Sequence, residues 1–192
     1  MEDWKIHNAF RQICQKFGIE STLTIKNSSV KNAYTDGKNV TITTGLLAEL
    51  TDNQVIAVLG HEIGHIVLNH IVTMKKDCQN LIEKIESTVS KDMNLIERIL
   101  AYTIVNSGIY AATQKRRRMQ EIQADWIGEL TARSLLGESG AMANVLNAIA
   151  SEHTEDHMFK THPATPKRID ALNTKKSIKI RIKKRQRRKE KV

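Results

Sequence analysis

His61-Glu62-Ile63-Gly64-His65 is the stretch on which the reading of this chain turns. It lies within 51–71, where Val55, Val58, Leu59 and Ile63 supply apolar surface at helical spacing. Thr51 can cap the first turn of that helix and Gln54 can bond back to it, a capping box. On a helix, residues four apart lie about 40° apart and one turn on. The imidazoles of His61 and His65 therefore share a face and can reach one metal ion. Glu62 stands beside them, able to take a proton from a water held there without itself being a ligand.

A catalytic zinc takes three protein ligands and keeps a further position for water. The pattern HExxHxxGxxH would supply a third histidine, but Leu68 and Ile71 stand at its last two fixed positions. His70 should sit about 140° round a continuous helix from His65 and point away from the metal. Glu121, in Glu121-Ile122-Gln123-Ala124-Asp125, is the better third ligand. Asp125 is four residues on, on the same face. It can accept a hydrogen bond from the outer ring nitrogen of a ligand histidine and so fix its tautomer. Ala124 is small and would let the two helices approach.

Around these motifs the chain reads as α+β and mainly helical. Residues 3–17 have helical apolar spacing and stop at Gly18. Residues 22–26 alternate as a strand, and 30–44 hold two strand-like runs about Asp36-Gly37, a hairpin signal. The spacing predicts one or two long helices over 78–113, broken near 87–91, then helices over 115–136 and 139–151 and a short one over 166–173. The polar segment 152–166 reads as a loop. Its His153 and His157 are four apart but fit a solvated turn better than a second metal site. Arg116, Arg117 and Arg118 read as a solvated helix face.

The formal charge of +9 is unevenly placed. Residues 175–192 alone hold eleven Lys or Arg and one Glu, which leaves the body, 1–174, near neutral. The expected division is a folded domain over 1–174 and a basic C-terminal tail over 175–192. Ile178, Ile180 and Ile182 alternate with charge in a strand-like way, and the rest has no apolar face. Such a tail can hold anionic lipid or nucleic acid weakly through phosphate contacts, without base stacking. Cys14 and Cys78 form no CxxC pair and are expected as free thiols. The opening Met1-Glu2-Asp3-Trp4-Lys5 has no apolar run, so no signal peptide is expected. Residues 99–113 are largely apolar but shorter than the roughly 20 residues of a spanning helix, and read as buried or interface-facing.

HExxH followed by ExxAD and a later His-Pro resembles the HtpX-like metallopeptidases, a group that includes the CAAX prenyl proteases. Asn32-Ala33-Tyr34 resembles the family's Asn-Ala-Phe segment, and 40–47 (VTITTGLL) the strand ending in T-x-G-L-L before the zinc helix. Thr161-His162-Pro163 with Arg168-Ile169 resembles the closing T-H-P…R-I segment. The resemblance covers roughly 30–172. It implies a zincin-like gluzincin fold with a small sheet beside the zinc helix, one Zn2+ per chain, and hydrolysis of a protein or peptide substrate. It implies that Asn32, Ala33 and Tyr34 form the edge that pairs with substrate backbone, and that His162 donates to the oxyanion. HtpX and the prenyl proteases cross the membrane several times. Here 80–113, at the place of such spans, is studded with charge. The expectation is thus a small soluble member, cytoplasmic and at most peripheral to the membrane. The competing expectation is a protein of the same fold, tethered by its tail to membrane or nucleic acid, with latent or lost proteolysis.

Overall fold

The computed structural model describes residues 1–88, 93–137, 139–151, 162 and 166–173. Helix α1 (Asp3–Phe17) buries Ile6, Phe10, Ile13 and Cys14 along one stripe and ends where Gly18 takes the left-handed conformation. Three short strands follow: β1 (Leu23–Lys26), β2 (Ala33–Thr35) and β3 (Val40–Thr43). They form one sheet in the order β1-β3-β2, with β1 parallel to β3 and β2 antiparallel to it. In the β2–β3 turn Asp36 Oδ1 accepts from the backbone N–H of Lys38 and of Asn39, each at 2.7 Å. The hairpin register is thereby set, with Ala33 opposite Ile42.

A short helix, α2 (Thr44–Glu49), follows β3 where periodicity gave no signal. It is nucleated by its cap: Thr43 Oγ1 accepts from Leu46 N–H while also bonding to the backbone of Asn32. Helix α3 (Asp52–Val67) carries the capping box expected of Thr51 and Gln54 and is buried without interruption from Val55 to His65. It is the centre of the fold, with the sheet, α1 and two later helices packed round it. The single helix expected over 51–71 is in fact two. Asn69 adopts a positive φ of 55°, and α4 (His70–Thr88) leaves in a new direction.

Helix α5 (Leu95–Leu136) is one unbroken element of 42 residues, about 63 Å long. The expected boundary between 113 and 115 does not exist. Backbone hydrogen bonds are local, so a helix continues through a change of environment when no proline intervenes. Here Leu95, Ile96, Ile99 and Leu100 near the start are exposed and the stretch from Ala124 to Ala132 is packed on α3. Helices α6 (Ala141–Ser151) and α7 (Pro166–Asn173) close the other side. Among the described residues no single helix is long and apolar enough to cross a membrane. The bent pair of α3 with the start of α4 reaches that length and composition, but α3 is the buried core helix.

Two glycines bring α3 and α5 together. A Cβ on Gly60 would stand 2.7 Å from Thr131 Cβ, and one on Gly128 would stand 2.6 Å from the Ala57 carbonyl oxygen. No larger residue fits at this crossing, and the site depends on it.

Candidate metal centre

Helix α3 contributes three polar residues to the interior: His61, Glu62 and His65, all buried. Helix α5 crosses them with Glu121, Gln123 and Asp125, and His162 arrives from the segment before α7. The Nε2 atoms of His61 and His65 face each other at 3.1 Å. Glu121 Oε2 lies 3.5 Å from His61 Nε2 and Oε1 lies 3.6 Å from His65 Nε2. His162 Nδ1 is 3.4 Å from His61 Nε2 and 3.0 Å from Glu121 Oε2. One donor atom from each of these four residues falls within 4.8 Å of the others.

This arrangement fits a metal ion on its own chemistry. Two imidazole nitrogens directed at each other, with a carboxylate beside them, present converging lone pairs that need a cation between them. Both carboxylate oxygens of Glu62 are fully buried and have no hydrogen-bond partner. The nearest charge is His162, whose Nε2 lies 3.8 Å from Oε1, too far for a hydrogen bond; buried carboxylate oxygens without hydrogen bonds are costly and in a native site are satisfied by a ligand or water. Histidines that hold a metal must also be neutral. Burial, and after it the neighbouring imidazoles of His61, His162 and His70, hold His65 well below the usual imidazole range.

Both histidines of the pair are backed from outside. Asp125, buried on α5, accepts from His61 Nδ1 at 3.0 Å. Arg168 of α7 grips the same carboxylate with two bonds, Nε to Oδ2 at 2.7 Å and Nη2 to Oδ1 at 2.6 Å. Burial alone would raise the Asp125 pKa, but hydrogen bonds from Arg168 and His61 lower it below the ordinary aspartate value. Glu121 behaves likewise: burial opposes its charge, yet His162, His61 and Arg168 bring its pKa down to about 2. His162 is mostly buried, which disfavours its charge, but Glu62 and then Glu121 raise its pKa to about 9.

His70 corrects the expectation that it points away. The turn at Asn69 swings it behind His65, so that the two Nδ1 atoms meet at 3.0 Å, and His70 Nε2 lies 3.2 Å from Gln123 Oε1. A helical wheel drawn through residue 71 could not have found this contact, because the helix it assumes ends at Val67. Gln123 carried no signal in the sequence. Arg168 was visible only as part of a matched segment, with nothing to mark it as a buried cation under the metal site.

A cleft of about 540 Å3 opens beside the cluster. Tyr34 and Thr35 of β2 form one wall, Ile71 and Met74 of α4 another, and Gln114, Arg117 and Arg118 of α5 the third. Of the expected substrate edge, Tyr34 lines the cleft. Ala33 is buried beneath it, and Asn32 is fastened to Thr43. Arg116 pairs with Asp77, and Arg117 and Arg118 line the cleft; all three are exposed, as expected of a solvated helix face. His153, His157 and the basic tail lie outside the described residues.

A buried HExxH helix crossed by a second helix that offers a carboxylate is the fold and donor set of a zincin-like metal-dependent peptidase. Residues 1–176 match peptidase family M48, and the chain belongs to that family. It is 25% identical to metalloprotease LoiP of Escherichia coli strain K12, over 72% of this chain and 55% of LoiP. It is 27% identical to protease HtpX of Haemophilus influenzae strain PittEE, over 89% of this chain and 73% of that protein. The chain thus spans about half the length of LoiP. The crystal structure of S. mikatae Ste24p superposes over 90% of this chain and 50% of its own, with a TM-score of 0.53 and 21% identity, a likeness of fold.

Proposed function

We propose that the protein is a zinc metalloendopeptidase in which His61, His65 and Glu121 hold the metal and Glu62 is the general base. The observation that carries this reading is the pair of imidazole nitrogens converging 3.1 Å apart beside a buried carboxylate, Glu62, that makes no hydrogen bond and has only His162 Nε2 near it, at 3.8 Å. When bound, zinc acidifies a water and polarises the scissile carbonyl.

The chain's own residues do the rest. Binding metal through Nε2 leaves the proton of each histidine on Nδ1. On His61 that proton goes to Asp125. On His65 it goes to His70 Nδ1, which obliges His70 to donate from Nε2 to Gln123 Oε1. Both tautomers are fixed by partners outside the ligand set. Glu62 accepts the proton of the attacking water and passes it to the leaving amine. His162, kept cationic by Glu62 and Glu121, donates to the carbonyl oxygen as it gains charge. The edge strand β2, with Asn32 to Tyr34, aligns the substrate backbone by strand addition.

The test is metal content and casein or peptide-library cleavage for wild type and Glu62→Gln in parallel. Both should bind about one zinc per chain, as a three-ligand site requires, and only wild type should cleave, in a chelator-sensitive manner. Failure of both proteins to retain zinc would sink the ligand assignment.

A second observation supports a peripheral location for this peptidase. Leu95, Ile96, Ile99 and Leu100 are 58–77% exposed at the start of α5, with Arg98 among them. Exposed apolar side chains in a row suit a lipid interface; Glu97 offsets Arg98 there, so attraction to anionic lipid would come from the basic stretch 175–192. Cosedimentation with anionic vesicles that is lost in high salt supports this reading; no cosedimentation at low salt refutes it.

A further inference from the structure

Three arginines follow Lys115 in a row on α5, and the fold treats them differently. Arg116 turns away and pairs with Asp77 on α4. Arg117 and Arg118 stand four and three residues before Glu121, on the same face and about one turn, 5.4 Å, along the helix. Both line the cleft that holds Glu62, His65 and His162. Among the described residues neither has an ion-pair partner. Both guanidinium groups are exposed at the mouth of the cleft, whose lining also includes Glu62 and Glu121, and are open to a ligand there.

We propose that Arg117 and Arg118 form a subsite for a substrate carboxylate, one helical turn from the metal cluster. The proposal rests on the peptidase reading and specifies its substrate class. A guanidinium fork matches a carboxylate with two parallel bonds, which a diffuse positive surface does not do. The opposite wall, Ile71 and Met74, is apolar. A peptide lying against β2 would offer side chains alternately to either side, so an apolar residue faces α4 and an acidic group faces α5. The carboxylate has two sources in a peptide: an Asp or Glu side chain, or the chain's own C-terminus. With the second, the cleft would choose substrates by their ends.

The measurement is binding, not turnover, on zinc-loaded Glu62→Gln protein. Fluorescently tagged short peptides carry one Glu walked through every position, each matched by a Gln control and each made as C-terminal acid and amide. At one position Glu should bind about tenfold tighter than Gln, the worth of a partly exposed charge-assisted hydrogen bond, or the acid should exceed the amide by that factor. Either gain should vanish in Glu62→Gln carrying Arg117→Gln and Arg118→Gln, and persist with Arg116→Gln. A gain that follows internal Glu assigns the side chain as the source, and one that follows the free C-terminus assigns the chain end. Equal binding of all pairs, or a gain that survives the double arginine substitution, overturns the proposal. Cleavage by wild type is scored separately, so loss of the peptidase reading and loss of the subsite are distinguishable.

Discussion

Replacing Gly128 by Ala should destabilise the protein and loosen its metal, although helix propensity alone predicts the opposite. In an exposed helix interior, Gly→Ala stabilises by about 0.5–1 kcal/mol. At Gly128 the new Cβ would meet the Ala57 carbonyl oxygen at 2.6 Å, about 0.8 Å inside the 3.4 Å where ordinary contact begins. Its other neighbours are Met142 Sδ at 3.2 Å and the His61 backbone nitrogen at 3.3 Å. The methionine can turn aside, but two of the three obstacles are α3 backbone. The helices must therefore separate, and overpacking of this kind costs roughly 1–3 kcal/mol. The clash wins by about 1–2 kcal/mol, a fall of about 2–8 °C in melting temperature for a chain of this size. The separation also draws Glu121 away from the two histidines, so zinc should pass more readily to a chelator. Gly108→Ala is the internal control. It lies in the same helix with nothing within 4 Å of its would-be Cβ, and should raise the melting temperature by about 1–4 °C. Calorimetry and chelator competition on both variants check the argument. Wild-type stability and zinc retention in Gly128→Ala would refute it.

His70→Ala removes the acceptor for His65 Nδ1 and should weaken zinc affinity about 10- to 100-fold while the fold persists; wild-type affinity in a chelator titration would count against the relay through Gln123. Arg168→Leu leaves the Asp125 carboxylate buried with one cationic partner removed, so a loss of about 3–5 kcal/mol is expected in denaturant unfolding, and a loss under 1 kcal/mol would mean that solvent reaches Asp125. Cys78 is exposed and Cys14 is buried, with burial pushing the Cys14 thiol above its ordinary pKa. A maleimide should therefore label Cys78 in the native protein and Cys14 only after unfolding, which mass spectrometry of the labelled peptides decides.

The parts legible in the sequence were those set by local pattern. The HExxH helix, its capping box, the Asp36 hairpin and the Gly18 and Gly137 stops each depend on residues within a few positions of one another. Glu121 and Asp125 were legible too, because a second helix with carboxylates four apart is a local pattern once a first pair of ligands demands it. What was not legible depended on one backbone angle or on burial. The positive φ at Asn69 redirects α4 and carries His70 to the back of His65. Arg117, Arg118 and Glu121 already share the helix expected over 115–136, but that a cleft opens beside them depends on how β2 and α4 pack against that helix. Arg168 looks like any basic residue of a short amphipathic helix until Asp125 is found beneath it.

That last contact has a consequence for when the site can exist. Asp125 and Arg168 are 43 positions apart in the chain. A growing polypeptide makes both HExxH and Glu121 long before α7 emerges. During that interval the Asp125 carboxylate lacks the cation that allows it to stay charged inside the protein, and His162 is not yet in place. Local folding of α3 against α5 must wait or remain loose. The cluster of His61, His65, Glu121 and His162 is thus complete only after residues 162–173 have been made and packed on α5.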